Sequence, residues 1–400
     1  MRILVCHTYY RQRSGECAVV EREVELLRSR GHEVSLFTYD NKDADLMAGF
    51  RIASRAVYSR ATKQELSRFV GGRTFDVAHV HNTWLMASPS LFPALGRQGI
   101  PVAKTVHNYR WLCPVATFYR DGRLCHDCMK RPGGNLHAVL HRCYGGSLAG
   151  SVAAASRLTL ARDVLRVYQR WVDAIIVQNE FVKGMLVRAG YDAARMIIKG
   201  NFLQIPAGIT PTRGDYLAFF GRHEASKGVA TLLSAMEKAR VPLRVFGEGP
   251  LTSWLREEAQ IRFGASGLVA IEGHVPRQAL DEAIAGSRAV VFPSEWYESY
   301  PLSIVEAMAF GKPVIASDLG GAATIVADGV NGLLFPPGDS DALARCVHRL
   351  WQDEKLQRRL ESGAKETYLR EMTPEVSYTR LMEAYMAARQ HYATRQGGGP

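Results

Sequence analysis

The sequence lacks several features that would place it in a common protein class. None of its 400 residues form an apolar run near the ~18 that span a bilayer, and its first ten residues turn polar too soon for a signal peptide. No G-x-G-x-x-G fingerprint follows the first predicted strand, which argues against a nicotinamide oxidoreductase. We therefore expect a cytoplasmic protein whose membrane association, if any, is peripheral and at the inner face.

The regular cysteine spacing of a disulfide framework is also missing. The seven cysteines are odd in number and irregularly spaced, which fits a reducing compartment better. With 47% hydrophobic and 22% charged residues, the chain is long enough for two ordinary domains and too apolar for disorder. The composition predicts a globular protein with two hydrophobic cores.

Net charge is uneven along the chain. Residues 1 to 200 carry 29 Lys and Arg against 16 Asp and Glu, a net charge of +13, whereas residues 201 to 400 carry 21 against 23, a net charge of −2. No recognisable binding motif accompanies the basic half, so we expect no nucleic-acid partner. In residues 50 to 70, cations interleave with apolar side chains. Two interpretations stay open: an interfacial helix on an anionic membrane surface, and a solvated surface helix.

Short β-branched runs alternate with helical stretches twice along the chain. In the first half the runs are "RILVCH", "EVSLFT", "DVAHVH", "PVAKTVH" and "DAIIVQ", and after residues 201–215 the pattern restarts with "YLAFFG", "LRVFG", "LVAIEG", "AVVFP" and "PVIAS". This alternation predicts an α/β fold with two doubly wound, Rossmann-like domains. We predict domains at 1–205 and 206–380, with the helix at about 380–400 a candidate to cross back to the first. The expected active site is a central cleft between facing domains, at the carboxyl ends of the strands.

Two carboxylates, Glu298 and Glu306, stand among apolar and small residues in "EWYESYPLSIVEAMAFGKPVIASDLGG". An unpaired buried carboxylate is costly, so both should have partners. Pro301 is typical of a first helical turn, and residues 302–310 predict a short apolar helix before a buried strand. Because a helix N-terminus offers unbonded amides and positive dipole, Ser299–Ser303 is a candidate phosphate site with a carboxylate on either side. Such an arrangement suits a nucleotide sugar.

Other candidate ligand groups follow other predicted strands. Arg222 and Lys227 in "GRHEASKG" could clamp a diphosphate, although an ordinary solvated loop explains them equally well. The turns "GEGP", with Gly249, and "GHV", with Val275, would let backbone approach a planar base, or are simple turns. Near the start, an exposed amide at Gly15 could meet the same phosphates.

The order of these motifs, from "SGE" and "TVHN" through "GRHEASKG", "FGEGP" and "IEGHV" to the segment with Glu298 and Glu306 and "DGVNGLLFPPGD", resembles the family 4 glycosyltransferases of the GT-B fold. The resemblance covers most of the chain, and its most specific part is the pair of glutamates. It implies retaining transfer of a sugar from a nucleoside diphosphate donor, UDP- or GDP-linked. It also implies that no metal cofactor takes part in catalysis.

The resemblance further assigns roles to individual residues. Glu306 would bind the donor ribose and Glu298 the sugar hydroxyls, while Arg222 and Lys227 would bind the diphosphate. His107 would lie beside the reacting sugar, although a capped core histidine is the alternative for this residue. The predicted catalytic residues are His107, Arg222, Lys227 and Glu298. The other predicted donor contacts are Gly15, Gly249, Val275, Ser299, Tyr300, Leu302 and Ser303.

The implied mechanism is departure of the leaving group from the face that the acceptor attacks, with the leaving phosphate taking the acceptor's proton. Two cations and helix amides would neutralise the diphosphate where other transferases use a metal. The basic first half favours a lipid-linked saccharide acceptor in envelope or exopolysaccharide synthesis. Two alternatives stay open: transfer to a small soluble aglycone, and a non-catalytic nucleotide-sugar-binding or membrane-scaffold protein.

Four cysteines fall in one segment after the strand that precedes His107: Cys113, Cys125, Cys128 and Cys143. Four thiolates would form a structural zinc site that holds this segment. Only one C-x-x-C pair is present, and His126, His137 and His141 compete as ligands. Reduced thiols without metal are the alternative.

Overall fold

The structure, a computed structural model, describes residues 1–13, 15–47, 49–129 and 133–397. The chain divides into two compact units. Unit 1 comprises Met1–Phe118, Cys125–Lys199 and Ser377–Pro400, and unit 2 comprises Tyr119–Leu124 and Gly200–Val376. No helix in the described part of the chain combines the length and the apolar character that a bilayer crossing requires.

The strands lie where the β-branched runs predict them. In chain order they are β1 (Arg2–Tyr9), β2 (Glu33–Asp40), β3 (Val77–Val80), β4 (Val102–Thr105), β5 (Tyr119–Arg120), β6 (Arg123–Leu124), β7 (Ala174–Val177), β8 (Met196–Ile198), β9 (Leu217–Phe220), β10 (Leu243–Phe246), β11 (Val269–Gly273), β12 (Ala289–Phe292), β13 (Val314–Ser317) and β14 (Gly332–Phe335). The last strand of each parallel sheet, β8 and β14, was not predicted, because each is a short run without the flanking pattern of the others.

The helices fill the intervals between strands. They are α1 (Gly15–Ser29), α2 (Gly49–Val57), α3 (Arg60–Val70), α4 (Leu91–Arg97), α5 (Leu136–Leu140), α6 (Leu148–Leu158), α7 (Val167–Trp171), α8 (Glu180–Arg188), α9 (Val229–Ala239), α10 (Thr252–Phe263), α11 (Arg277–Ala285), α12 (Leu302–Ala309), α13 (Ala322–Ile325), α14 (Ser340–Gln352), α15 (Glu354–Glu371) and α16 (Pro374–Gly397).

Each unit is built on one parallel sheet. The strand order is β2-β1-β3-β4-β7-β8 in unit 1 and β11-β10-β9-β12-β13-β14 in unit 2. Neighbouring strands are parallel throughout both sheets. The central strands are buried along their whole length, as expected where helices cover both faces. The predicted α/β class with two doubly wound domains is therefore confirmed.

The long final helix α16 completes the core of unit 1. Its buried face, with Leu381, Ala384, Tyr385 and Ala388, packs in one apolar cluster with residues of β1 such as Ile3. The i, i+3, i+4, i+7 spacing of these four residues is that of a helix with one core-facing stripe. A helix at about 380–400 was predicted as a candidate to pack on the first domain. Residues 398–400 of that range lie outside the described residues.

The unit boundary lies at 199/200, whereas the sequence analysis placed it at 205/206. The reason is that residues 200–205 are bonded within unit 2. Leu203 is buried, its amide donates to Met372 O at 3.1 Å, and its carbonyl accepts from the Tyr368 hydroxyl at 2.9 Å. The amide side chain of Asn201 likewise donates to Tyr300 O at 3.1 Å. Residues 200–205 form no helix or strand, and they belong to unit 2 through hydrogen bonds to distant residues. The sequence pattern does not reveal these contacts.

The basic segment 50 to 70 forms two helices, α2 and α3, and not the single helix that both interpretations of this segment assumed. Ser59 interrupts it because its hydroxyl caps α3, accepting a hydrogen bond from the Thr62 amide. The apolar side of the segment faces the protein: Ala56, Leu66 and Val70 are buried. This segment is therefore a surface helix pair whose apolar side chains are used within unit 1.

Candidate functional site

In unit 2, Lys227 and Glu298 form an ion pair. Lys227 follows β9 in the first loop of the unit, and Glu298 lies in the loop after β12. The same carboxylate oxygen accepts from the indole N–H of Trp296 at 2.7 Å, and both charged side chains are largely buried. Two predicted site residues, 71 positions apart in sequence, therefore meet. Trp296 was not predicted, although it stands two residues before Glu298.

Glu306 is buried in α12 and has the partner that its burial demands. Arg277, at the start of α11, donates to Glu306 at 2.6 Å and, through two other nitrogens, to Asp281 at 2.6 and 3.0 Å. Burial lowers the pKa of Arg277, but the two carboxylates outweigh it and raise the pKa overall. Arg277 was not predicted. The i, i+4 spacing to Asp281 signals a helix pair, whereas the contact with Glu306 is visible only in three dimensions.

The other predicted groups near β9 and β10 differ in exposure. The Arg222 guanidinium is 58% exposed and lies 3.3 Å from the Glu224 carboxylate. Gly249 is in a tight turn, where its amide donates to the Thr252 hydroxyl at 2.9 Å. A Cβ at this glycine would lie 2.4 Å from the carbonyl oxygen of His223. Only glycine fits this backbone approach, so its presence is explained by packing whether or not a base binds there.

The helix with the predicted phosphate site runs from Leu302 to Ala309, and Pro301 precedes it as its N-cap residue instead of lying in its first turn. This correction leaves the amides of Leu302 and Ser303 in the first turn, where a helix has no internal acceptors for them. Tyr300 is buried and Ser299, Leu302 and Ser303 are half-buried. Val275 is partly buried against the core beside this helix.

In unit 1, His107 lies just beyond the end of β4 with both ring nitrogens hydrogen-bonded. Its Nε2 lies 2.9 Å from His81 Nδ1, and its Nδ1 lies 3.2 Å from the side-chain amide nitrogen of Gln178. Burial, followed by nearby positive charge, holds the pKa of His107 well below its usual value. The ring is therefore neutral at physiological pH. Neither His81 nor Gln178 was predicted as a site residue, although each is the last residue of a predicted strand.

A small cavity of about 30 Å³ adjoins His107, and Glu16 and Lys104 are among the residues that line it. Glu16 follows the predicted Gly15 in the first turn of α1. It accepts from the Tyr10 hydroxyl at 3.0 Å and from the Asn108 amide at 3.4 Å. Burial raises the pKa of Glu16 and lowers that of Lys104, and their mutual attraction opposes both shifts. Glu16 was not predicted as a site residue; the amide of Gly15 beside it was predicted to meet a phosphate.

The four cysteines of the predicted zinc site form no disulfide in the described structure, and Cys113 and Cys128 are buried. Burial, together with the other three thiols, raises the pKa of Cys128 to about 12. Among the described residues, two groups place three ligand-type atoms within 4.8 Å of one another, and neither includes a thiol. One is Glu23, His79 and His81; the other is Asp127, His137 and His141. The zinc site stays a prediction, with the second group as a rival.

Comparison with known families covers both units. The model described as "Glycosyl transferase 4-like domain" matches residues 14–201, and the one described as "Glycosyl transferases group 1" matches residues 204–367. A D-inositol 3-phosphate glycosyltransferase of Frankia alni is 35% identical over 304 residues, covering 72% of this chain and 69% of that protein. The chain belongs to the family 4 glycosyltransferases. The predicted family is thereby confirmed.

Other relatives of this glycosyltransferase vary in extent. A phosphatidyl-myo-inositol mannosyltransferase of Mycobacterium leprae is 25% identical, with 96% of each chain covered. An O-antigen chain mannosyltransferase C of Escherichia coli is 32% identical over 178 residues, which is 44% of this chain and 46% of that protein. The chain thus spans less than half of that relative and nearly the whole of the mycobacterial one.

Solved structures agree on the architecture. Anabaena HepE in complex with UDP superposes with a TM-score of 0.67 at 17% identity, covering 97% of this chain and 100% of that one. Sucrose-phosphate synthase from Thermosynechococcus elongatus gives 0.69 at 16% identity, covering 98% and 100%. Likeness at this identity establishes the fold, and the glycosyltransferase has the GT-B fold.

The Arg277 bridge leads to a stability prediction. Arg277→Ala should lower the free energy of unfolding by about 2 kcal/mol, because it leaves two buried carboxylates without their cation while the arginine itself is partly exposed. Arg358→Ala is the control, since Arg358 pairs with Glu354 on the open surface of α15; it should change stability by no more than about 0.5 kcal/mol. Urea unfolding of both variants provides the measurement. Equal effects would mean that the bridge contributes nothing beyond a surface ion pair.

Proposed function

We propose that this glycosyltransferase moves a sugar, with retention of anomeric configuration and without a catalytic metal, from a nucleoside diphosphate donor to a lipid-linked saccharide acceptor in envelope or exopolysaccharide synthesis. The observation that carries the proposal is the ion pair of Lys227 and Glu298 in unit 2. It joins a cation suited to a diphosphate with a carboxylate suited to sugar hydroxyls. Both groups are held in a largely buried setting, where electrostatic interactions are strong.

The proposed donor is a UDP- or GDP-linked sugar. Lys227, Arg222 and the first amides of α12 supply positive charge and hydrogen-bond donors for a diphosphate. Arg222 is exposed enough to turn toward a ligand. Support for a nucleoside diphosphate also comes from HepE, a structural neighbour described in complex with UDP. Glu306, oriented by Arg277, is the proposed partner of the donor ribose.

In the proposed reaction, the bond between the anomeric carbon and the phosphate oxygen breaks while the acceptor oxygen bonds to the same face of that carbon. The acceptor's proton passes to the departing phosphate oxygen. Lys227 and Arg222 stabilise the charge that develops on the leaving diphosphate. His107 has both ring nitrogens engaged within unit 1, so it acts in this scheme as a neutral neighbour of the sugar and not as a base.

Four substitutions test the proposal. Lys227→Ala and Arg222→Ala should each lower turnover on the order of a hundredfold, because an electrostatic donor to developing charge contributes ~3 kcal/mol. Glu298→Gln should also reduce turnover, since sugar orientation matters as the anomeric centre develops charge. Glu306→Gln should mainly raise the Michaelis constant for the donor, because the ribose lies far from the bond that breaks. Steady-state transfer and melting temperature are measured on the same preparations, with UDP- and GDP-sugars as donors.

Destabilisation is the alternative explanation for any loss of activity. If these charged groups served only to pair with one another, each substitution would lower the melting temperature and leave turnover per folded molecule unchanged. Four destabilised but fully active variants would reject the proposed site. Lys238→Ala, which removes an exposed pair with Asp341 in the same unit, is the control and should preserve both turnover and stability.

We also propose that unit 1 contacts an anionic membrane surface, through α5 and α6 in place of residues 50 to 70. These two helices pack against each other and carry two i, i+4 pairs of exposed apolar side chains. Leu136 and Leu140 are 59% and 67% exposed, and Leu148 and Val152 are 52% and 44% exposed. Arg142, between the two helices, is exposed, whereas Arg157 is buried and Arg162 is ion-paired with Asp163. Exposed apolar groups beside an exposed cation suit anionic lipid.

Liposome sedimentation tests the membrane proposal. Binding should require anionic lipid and weaken with salt, because exposed charges are screened over ~8 Å at physiological ionic strength. The double substitution Leu136→Ser and Leu140→Ser should reduce binding on the order of tenfold, since each leucine loses apolar area to bury. Ile261→Ser, at a 78% exposed position of α10, should have no effect. Equal binding to neutral vesicles would contradict the proposal.

We propose, further, that the segment 113–143 binds a structural zinc ion through its four thiols. Burial and the three other thiols raise the pKa of Cys128, so a thiolate at this position needs a cation to compensate its charge. Zinc would supply that compensation and join the C-x-x-C pair to Cys113 and Cys143.

Metal analysis of the purified protein distinguishes the two ligand sets. We expect about one equivalent of zinc, with Cys128→Ser lowering both metal content and melting temperature. His141→Ala should leave the metal in place. Loss of metal in the His141→Ala variant alone would show that the ligands are Asp127, His137 and His141. A wild type that contains no metal and has the same melting temperature as Cys128→Ser would show that the cysteines are reduced thiols without metal.

A further inference from the structure

Polar side chains in unit 1 form one chain from Gln178 to Lys199. The Gln178 amide nitrogen lies 3.2 Å from His107 Nδ1, and His107 Nε2 lies 2.9 Å from His81 Nδ1. His81 Nε2 then faces Glu23 Oε2 at 3.7 Å, and Glu23 Oε1 accepts from Lys199 Nζ at 2.6 Å. Four parallel strands and one helix thus contribute one residue each.

This chain is sealed from solvent over most of its length. Glu23, His81, Gln178 and Lys199 are each at most 3% exposed. Glu23 Oε2 and His81 Nε2 face each other at 3.7 Å, beyond hydrogen-bond length, and neither atom has a hydrogen-bond partner in the described structure. The carboxylate therefore acts on the His81 ring through its charge, which favours one order of donors and acceptors in the hydrogen bonds that join His81, His107 and Gln178.

The order follows from Gln178. Its amide nitrogen can only donate, so His107 Nδ1 must accept and carries no proton. Neutral His107 then bears its proton on Nε2 and donates it to His81 Nδ1. His81 in turn bears its proton on Nε2, which points at the Glu23 carboxylate. Each of the two hydrogen bonds then has one donor and one acceptor, and the His81 Nε2–H dipole faces the carboxylate across 3.7 Å.

The reverse order is excluded by Glu23. If the Gln178 amide is rotated so that its oxygen faces His107, every proton moves to the other nitrogen of its ring. His81 Nε2 would then present a lone pair to a carboxylate oxygen, with no proton between them. Since Glu23 is ion-paired with Lys199 at 2.6 Å, this order places a ring lone pair against a carboxylate oxygen, which is electrostatically unfavourable.

The neighbouring His79 does not compete for Glu23. Its Nδ1 lies 3.8 Å from Glu23 Oε2 but only 2.8 Å from the Tyr385 hydroxyl, and its Nε2 lies 2.7 Å from the Thr105 hydroxyl. A metal ion among Glu23, His79 and His81 is disfavoured as well, because the Lys199 ammonium already neutralises the carboxylate. Glu23 is left to act on His81.

We propose that Glu23 and His81 are positioning residues of this glycosyltransferase, which hold His107 in the neutral Nε2–H tautomer with its ring fixed beside the cavity that Glu16 and Lys104 line. The proposal rests on the proposed role of His107 next to the reacting sugar. It adds two residues that never touch the substrate. They act by fixing the ring orientation and the protonated nitrogen of His107, the residue proposed to lie beside the sugar.

The tautomers can be measured on the full-length protein with ¹⁵N-labelled histidine rings. Wild type should show His107 and His81 protonated on Nε2, with the signals assigned by His107→Gln and His81→Gln. In Glu23→Gln, Lys199 keeps the new carbonyl oxygen, so the amide nitrogen faces His81 Nε2 and donates to it. Both histidines should then switch to the Nδ1–H form. A merely structural role for Glu23 predicts no switch.

Activity gives the second readout. Glu23→Gln should lower kcat on the order of tenfold with the donor KM unchanged, as is typical when an orienting partner is lost. Glu25→Gln, at an exposed position of the same helix, should match wild type in tautomers and rate.

Three outcomes would overturn the proposal. The first is the Nδ1–H tautomer of both histidines in wild type, a measurement that does not depend on any variant folding. The others are unchanged tautomers in a folded Glu23→Gln protein, and switched tautomers in that protein with the kcat of wild type. Wild type that transfers no sugar would reject the proposed function instead. The wild-type tautomers would still decide the order of hydrogen bonds.

Discussion

The carboxyl edge of each parallel sheet is the constraint on which the rest of this structure depends. Strands buried on both faces leave most room for polar side chains where the backbone leaves the sheet. His81, His107, Gln178 and Lys199 each follow the end of a strand in unit 1, as Arg222 does in unit 2. His79 and Lys104 lie within β3 and β4, but there each has hydrogen-bond partners that compensate its burial.

Charge burial at these edges is managed by pairing. Lys227 with Glu298, Arg277 with Glu306 and Asp281, and Glu23 with Lys199 each place a cation against a carboxylate. The charged groups differ in their exposure to solvent. Arg222 and Lys227 keep partial exposure suited to an incoming diphosphate, whereas Glu23 and Lys199 are closed to solvent. The first kind suits ligand binding, and the second suits a fixed internal orientation.

The sequence predicted those parts of the fold that local pattern governs. β-Branched runs located the central strands, and the glutamates of the 295–321 stretch were rightly expected to have partners. The identities of those partners, Lys227 for Glu298 and Arg277 for Glu306, depend on contacts between distant segments, which no periodicity encodes. The same holds for the contacts of His107 with His81 and Gln178. The break in the helical segment 50–70 was not predicted, because Ser59 can cap a new helix as readily as it can continue an old one.

The placement of α16 bears on how the chain is made. The core of unit 1 contains Ile3 and Val5 from the first strand together with Leu381, Tyr385 and Ala388 from the last helix. During synthesis on the ribosome, all of unit 2 emerges before these last residues do. The first unit to be translated is therefore the second to be completed, and its apolar surface stays uncovered in the meantime. Apolar surface exposed during folding favours aggregation, so residues 1 to 199 are open to it until α16 emerges.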